Sequence, residues 1–439
     1  MKDYIILTEV LRKSEEIKPT QHAKRIVFEK YGVLGTNVDR RLTAIYYKIM
    51  RRLGLIDRVI MDIVGVHQNI LDPWLRAALR VTVNLLLFEK RKFVKRLDLE
   101  RLRKALADFL SSVTHPYVGM FYYEVFEKIG EYEFKPKDEF EELELKYLLP
   151  AWYIRRMKEL LGDEAEELFR ALNREPMISI RVNTLKARVE EVLEELRRMG
   201  KRPVVSEIVP TVIKFEGPFD FDRSKLYRRG KFVIQEEASA LASILLDPKP
   251  NEVVVDMCAA PGGKTIHMAE LMGNRGIIHA FDVDELRIRR MEELIRRCGV
   301  RIVRIYRRDA RNAPKILGRD VADRVLVDAP CTSDGTIMKN PELRWRMREE
   351  KIEEIAELQY QLLKTAVELA KPDGRILYCT CSMFKEENEE VVKRVLEDGG
   401  VELVPLKGYY SEGFMKGTIR AFPHRHGTIG FFYTLLKKL

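Results

Sequence analysis

Apolar positions change their spacing three times along the chain. Between residues 20 and 130 they recur at helical intervals. Leu42, Ile45, Tyr46, Ile49 and Leu53 fall at i, i+3, i+4, i+7 and i+11, and Leu99, Leu102, Leu106, Phe109, Leu110 and Val113 make a second stripe. Leu75 to Leu87 is apolar almost all round, which predicts the central helix of a bundle. Beyond Pro150 and Trp152 the pattern is mixed. Ile178 to Asn183 alternates as a strand does, Val189, Val192, Leu193 and Leu196 form a helical stripe that stops at Gly200, and Val204-Val205 and Val212 to Phe215 read as further strands. From about residue 230, short β-branched runs alternate with helical stripes. The strands are Val253 to Val255, Ile277 to Phe281, Ile302 to Tyr306, Val325 to Val327 and Arg375 to Tyr378; helices are predicted near 285–297, near 350–370 and from about Glu386. A closing run, Gly430 to Leu435, reads as a hairpin strand. Such alternation predicts a parallel sheet with helices on both faces. Between Gly130 and Lys146 the pattern gives way to acidic residues (Glu131, Glu133, Asp138, Glu139, Glu141, Glu142, Glu144), which predicts a linker with a boundary near 140. The expected fold is multidomain: an all-α bundle over 1–140, a small α/β module over 141–229 and an α/β Rossmann-like core over 230–439.

Composition narrows the class. A chain of 439 residues has room for two or three cores, and no apolar stretch approaches the 20 residues a helical membrane span needs. The start, Met1-Lys2-Asp3-Tyr4, carries an acid and no extended apolar region, unlike a secretory signal. Five cysteines without framework spacing fit a reducing compartment, so a cytoplasmic protein is expected. A net charge of +10 favours an anionic partner such as RNA or DNA. Arg40, Arg41, Lys48, Arg51 and Arg52, and then Lys90-Arg91-Lys92, Lys95 and Arg96, are either a solvated surface or an RNA-binding face.

The stretch Val253 to Thr265 is a strand, a Gly-rich turn and the start of a helix. Gly263-Lys264-Thr265 matches the tail of a P-loop, but Cys258 stands where its first glycine belongs, and the spacing of a dinucleotide fingerprint is absent. S-adenosylmethionine remains, because Asp282 closes the next strand where a ribose-binding carboxylate falls in such folds. Asp282, Asp309, Asp328 to Cys331 and Cys379 to Cys381 fall at four strand ends, the edge where doubly wound sheets bind ligands.

Two cysteines on that edge call for an explanation. Burial as a small apolar group suits Cys298, at a helix end. A four-thiolate zinc site from Cys258, Cys331, Cys379 and Cys381 is disfavoured, since no C-x-x-C pair exists. No metal is expected. Covalent catalysis is the third reading: a thiolate that adds to C6 of a pyrimidine makes C5 nucleophilic, and a second group then removes the C5 proton.

Residues 150–439 resemble the Sun/Fmu family of RNA cytosine-C5 methyltransferases. Asp256 to Thr265 is similar to its cofactor turn, Asp328-Ala329-Pro330-Cys331 to its Asp-Ala-Pro-Cys motif and Thr380-Cys381-Ser382 to its Thr-Cys-Ser motif. Gly230 to Ser239, Asn340-Pro341 with Trp345, Glu387-Asn388-Glu389, and Pro423-His424 through Gly430-Phe431-Phe432 are supporting matches. The resemblance implies a class I methyltransferase core in which Cys381 attacks C6, Cys331 helps proton removal and product release, and Asp328 hydrogen-bonds the base. It implies that Cys258, Ala259, Ala260, Pro261, Gly262, Gly263, Lys264, Asp282, Asp309 and Asp328 surround S-adenosylmethionine, with Arg287 assisting. Cys379 departs from the family, which more often has a small hydroxyl residue there; it adds a neighbouring thiol. By analogy with DNA cytosine methyltransferases, whose nucleophile sits in a Pro-Cys motif, Cys331 would attack instead; the Thr-Cys-Ser match favours Cys381. The helical region resembles a NusB-like RNA-binding domain, which favours ribosomal RNA over tRNA. The expected protein is a cytoplasmic, monomeric enzyme acting on an unstacked cytosine. The rivals are a non-catalytic RNA-binding or ribosome-assembly factor, a tRNA enzyme of the same chemistry, and a DNA or small-molecule methyltransferase.

Overall fold

The computed structural model describes residues 1–17, 20–89 and 98–439. The basic run Lys90, Arg91, Lys92, Lys95 and Arg96 lies outside the described residues. The chain divides into two compact units, Met1–Gly162 with Arg344–Arg346, and Asp163–Leu343 with Met347–Leu439.

The first unit is helical. Helix Asn37–Val64 starts at Thr36, whose hydroxyl accepts from Val38 N and Asp39 N, and ends at Gly65 in the left-handed region. Its stripe buries Leu42, Tyr46 and Ile49. Helix Pro73–Val83 is capped by Asp72 and buries every residue from Leu75 to Val83, as a stretch apolar almost all round predicts. Two of those residues are arginines: Arg80 pairs with Asp57 at 2.7 Å, and Arg76 donates to Glu15 at 2.9 Å. The acidic stretch is only partly a linker. Glu139–Tyr147 is a helix, because the Asp138 carboxylate accepts from Glu141 N at 2.9 Å and the first-turn acids Glu139, Glu141 and Glu142 suit the positive end of the helix.

The second unit holds two sheets. Strands β1 (Ile178–Val182), β2 (Val204–Val205), β3 (Val212–Phe215) and β4 (Phe232–Ile234) form an antiparallel sheet in the order β2-β3-β1-β4. The larger sheet comprises β5 (Val253–Asp256), β6 (Ile277–Asp282), β7 (Val303–Arg307), β8 (Ala322–Asp328), β9 (Ala370–Thr380), β10 (Val401–Val404), β11 (Ser411–Glu412), β12 (Ile419–Ala421) and β13 (Phe431–Lys438). Its order is β11-β12-β13-β9-β8-β5-β6-β7, with β10 also on β13. Strands β5 to β9 pair in parallel. The sheet is mixed rather than wholly parallel: β13 runs antiparallel to β9, and β10 and β12 run antiparallel to β13. Phe431 to Leu436 is buried throughout, and a continuous apolar run reads the same in either direction. From β5 the chain moves out through β6 to β7 and then returns to β8 on the other side, which opens a crevice at the strands' carboxyl ends. Among the described residues no helix is long and apolar enough to cross a membrane.

Candidate active site

Strand β5 ends at Asp256, and the chain turns through Met257–Gly262 into helix Gly263–Leu271. Gly262 has φ 100°, and a Cβ there would lie 2.9 Å from Met291 Cγ, so the turn needs glycine. No side chain caps this helix, whose first N–H groups therefore stay available. Asp282, at the end of β6, braces the turn: Oδ2 accepts from Ala260 N and Oδ1 from Asp284 N, both at 3.0 Å. Arg287 donates to the Ala260 carbonyl, so it acts on the turn's backbone.

Asp256 is buried. Thr265 donates to its Oδ2 at 2.7 Å, while Oδ1 has no hydrogen-bond partner among the described residues. Burial pushes its carboxyl up to about 7; the Thr265 hydroxyl opposes this and the charge of Asp328 adds to it. Lys264, on the helix's first turn, donates to Asp328 Oδ2 at 2.7 Å and lies over the Phe431 ring at 5.2 Å. Burial alone would favour its neutral amine, but the charge of Asp328 and the hydrogen bond to it outweigh this and raise the ammonium well above its usual range. An orphaned acceptor, an uncapped helix start and a carboxylate on the adjoining strand fit S-adenosylmethionine, which offers an ammonium, a carboxylate and ribose hydroxyls. Cys258 is pushed up by burial and by Asp256, Asp328 and Asp282, so its thiol keeps its proton.

Three strand ends place the remaining chemistry. Asp328 closes β8, and its Oδ1 accepts from the buried Cys379 thiol at 3.6 Å, which leaves the carboxyl held from both sides. Burial, then the charge of Asp328, drive the Cys379 thiol well up, so Cys379 is a proton-bearing support for Asp328. Cys331 and Cys381 face each other with Sγ–Sγ 3.4 Å, and Ser333 Oγ lies 3.7 Å from Cys331 Sγ. The hydrogen bond from Cys331 lowers Cys381 against its burial, with Ser333 and Lys264 helping. The same bond, together with burial, raises Cys331 well above the usual thiol range. Of the two thiols, Cys381 is therefore the one shifted toward ionisation. Asp309, beyond β7, is engaged by Arg311 at 2.6 Å instead of by the turn. Cys298 is buried at its helix end, as expected of a structural thiol.

One layer of the site was not legible as chemistry. Thr332 and Ser382, the residues after the two cysteines, both donate to Glu387, at 2.5 and 2.8 Å. Gln359 donates to the same carboxylate at 3.0 Å and to the Pro330 carbonyl at 2.8 Å. The available signal was a hydroxyl residue after each cysteine and an acid five residues beyond Ser382.

Residues 243–437 match the 16S rRNA methyltransferase RsmB/F family, and residues 149–222 match the ferredoxin-like domain described for the same proteins. The probable ribosomal RNA small subunit methyltransferases B of Bacillus subtilis and Synechocystis are each 31% identical, over 66% and 67% of this chain and the same shares of their own length. The human 28S rRNA (cytosine(4447)-C(5))-methyltransferase is 34% identical over 60% of this chain and 34% of its own. The crystal structure of the protein PH0851 superposes with a TM-score of 0.93 at 55% identity, covering 100% of this chain and 98% of its own. NSun6 from Pyrococcus horikoshii, crystallised with the S-adenosylmethionine analogue SFG, superposes with a TM-score of 0.60 at 29% identity over 65% of this chain and 97% of its own. With its cofactor turn, its Asp-Ala-Pro-Cys and Thr-Cys-Ser strand ends and its ferredoxin-like module, the chain belongs to the RsmB/F (Sun/Fmu) family of S-adenosylmethionine-dependent RNA cytosine-C5 methyltransferases.

Proposed function

We propose that this protein methylates C5 of a cytosine in RNA through a covalent bond between Cys381 and C6, with ribosomal RNA its substrate. The observation that carries the reading is a pair of thiols 3.4 Å apart, on the loops after two neighbouring strands, beside a carboxyl held on both oxygens. The thiolate of Cys381 adds to C6, and the electron pair of the C5–C6 bond localises at C5. Bound S-adenosylmethionine supplies an electrophilic methyl group at that point. Asp328, an acceptor, takes a hydrogen bond from the amino group on the base edge and so orients the ring for the addition. Once Cys381 is bound to C6 and carries no charge, Cys331 releases its own proton to solvent and, as a thiolate, takes the C5 proton; the C6–S bond then breaks, which restores the C5–C6 double bond and returns the thiolate to Cys381. The pinned, proton-bearing Cys379 has no part in bond making.

Cys258 to Lys264, Asp282, Asp309 and Asp328 are the proposed cofactor residues, with Arg287 acting through the Ala260 carbonyl. Residues 1–140 serve as a NusB-like RNA-binding domain and 141–229 as a second grip on phosphates, in a cytoplasmic monomer. The preference for ribosomal RNA follows the names of the relatives.

Cys331→Ala and Cys381→Ala, each incubated with cofactor and unmodified ribosomal RNA and run on a denaturing gel, test this. A slow-migrating protein–RNA adduct is expected for Cys331→Ala and none for Cys381→Ala. The reverse pattern would move the nucleophile to Cys331, and methyl transfer by neither the variants nor the wild type would leave a binding factor.

A further inference from the structure

Glu387 sits behind both cysteines without touching either. Its side chain is fully buried, and four donors converge on it. Thr332 N donates to Oε2 at 2.9 Å and Thr332 Oγ1 to Oε1 at 2.5 Å; Ser382 Oγ donates to Oε1 at 2.8 Å and Gln359 Nε2 to Oε2 at 3.0 Å. Thr332 follows Cys331 and Ser382 follows Cys381, so one carboxylate joins two loops that are 50 residues apart in sequence. The loops are also joined directly: Gly335 N donates to the Cys381 carbonyl at 2.9 Å, and Met383 N donates to the Asp334 side chain at Oδ1, 3.0 Å away. Asn388 fixes the Cys381 side further, accepting from Thr380 Oγ1 at 2.5 Å and donating to the Ser382 carbonyl at 2.9 Å.

We propose that Glu387 is a positioning residue of the reaction, one buried carboxylate that sets the distance between the cysteine loops and keeps the two thiols unequal. This rests on the cytosine-C5 reading above. Geometry supplies the first half. A side chain that accepts from both loops holds their sulfurs at 3.4 Å, and without it the two loops share fewer fixed points. Charge supplies the second half. Of the groups facing Cys331, namely Cys381, Glu387 and Ser333, the thiolate of Cys381 and the carboxylate of Glu387 both oppose a second negative charge. Cys381 faces Cys331, Ser333, Asp328 and Lys264, of which only Asp328 opposes its ionisation. Glu387 thus biases the pair so that one member is nucleophile and the other a protonated partner. Its own proton is held toward neutral pH, up to about 7, by burial and by Asp334, against the donors Thr332 and Ser382. Tyr378, from β9, donates to the Glu387 backbone carbonyl at 2.5 Å and leaves the carboxylate to the loops.

The test uses the full chain with Glu387→Gln, which keeps the shape and removes the charge. Iodoacetamide labelling of Cys331 and Cys381 is followed peptide by peptide across pH, beside kcat and KM for RNA. The expected result is a Cys331 labelling midpoint lowered by about one pH unit. With it, kcat falls roughly tenfold or more while KM for RNA stays within about twofold. A role in stability alone would lower the melting temperature and leave the labelling midpoints where they were; that result overturns the proposal. Ser382→Ala, which removes one donor and keeps the charge, is the companion variant: kcat should fall while the Cys331 midpoint holds, and an unchanged kcat would refute the tie between the loops even if Glu387→Gln fails to fold. Because labelling needs no RNA, a wild type that methylates no cytosine would sink the functional reading and leave the labelling result to judge Glu387.

Discussion

Asp256 and Glu387 are buried acids whose carboxyls are both pushed up to about 7, and Lys264 is a buried base held charged by Asp328. The sign of their effect on stability follows. An acid whose proton affinity rises on folding takes up a proton as the chain folds, so its contribution is present below the unfolded value near 4 and is lost as pH rises toward 7. Urea unfolding of Asp256→Asn should therefore gain on the wild type by up to about 1.4 kcal/mol per pH unit between pH 5 and 7. Parallel curves would show that Asp256 is ionised throughout. Lys264→Met removes the partner of Asp328 Oδ2, whose side chain is partly exposed, and should cost about 1–3 kcal/mol in denaturant unfolding together with most of the methyl transfer. Cys381, Cys331, Asp328 and Lys264 were legible in the sequence because each stands at a strand end or helix start beside a recognisable motif. Glu387 was visible only as part of a run, since its role arises where residues 332 and 382 meet in space. Cys379 was legible only as a neighbouring thiol, because spacing cannot say which way a side chain points; its hydrogen bond to Asp328 does.

Among the elements, the five parallel strands and the helices between them were written in alternating apolar spacing, and so were β1 to β3. The direction of β13 was not, since a fully buried strand carries no polar face to orient it. Its antiparallel insertion matters to the site. Gly430, just before β13, donates to the Gly335 carbonyl at 2.8 Å, and a Cβ on Gly335 would lie 2.4 Å from Gly430 O and 2.7 Å from Cys381 O. These loops approach as bare backbone. Gly335→Ala must push them apart, so methyl transfer should fall at least about tenfold while the melting temperature drops by only a few degrees. Loss of both in proportion would mean that this crossing supports the fold alone. In the helical unit, Gly54 plays a comparable part, because a Cβ there would lie 2.1 Å from the Trp345 ring, whose Nε1 donates to the Arg51 carbonyl at 2.9 Å.

For the whole molecule, the surplus of ten cations argued for an anionic partner, but the structure shows that part of the basic inventory is internal. Arg76, Arg80, Arg103, Arg181 and Arg420 are buried and paired with acids, and Arg41, Lys48 and Arg52 of the basic flank pair with Asp3 or Glu89. Each such pair takes an acid out of play as well, so the surplus of ten stands, while the count of cations alone overstates the basic surface open to RNA. Binding to ribosomal RNA fragments should still weaken with salt, with a log–log slope of about −3 to −5 between 50 and 200 mM, as expected for some five or six phosphate contacts. A flat response in filter binding would contradict an electrostatic grip. The central claim, covalent attack by Cys381 on a cytosine in RNA, is tested most directly with ribosomal RNA carrying 5-fluorocytidine. There the C5 proton is replaced by a group no base can remove, so the adduct persists after methyl transfer. Mass spectrometry of the digested complex should find the methylated nucleotide attached to the peptide containing Cys381. Attachment at Cys331, or methylation with no attachment to either thiol, would contradict the account.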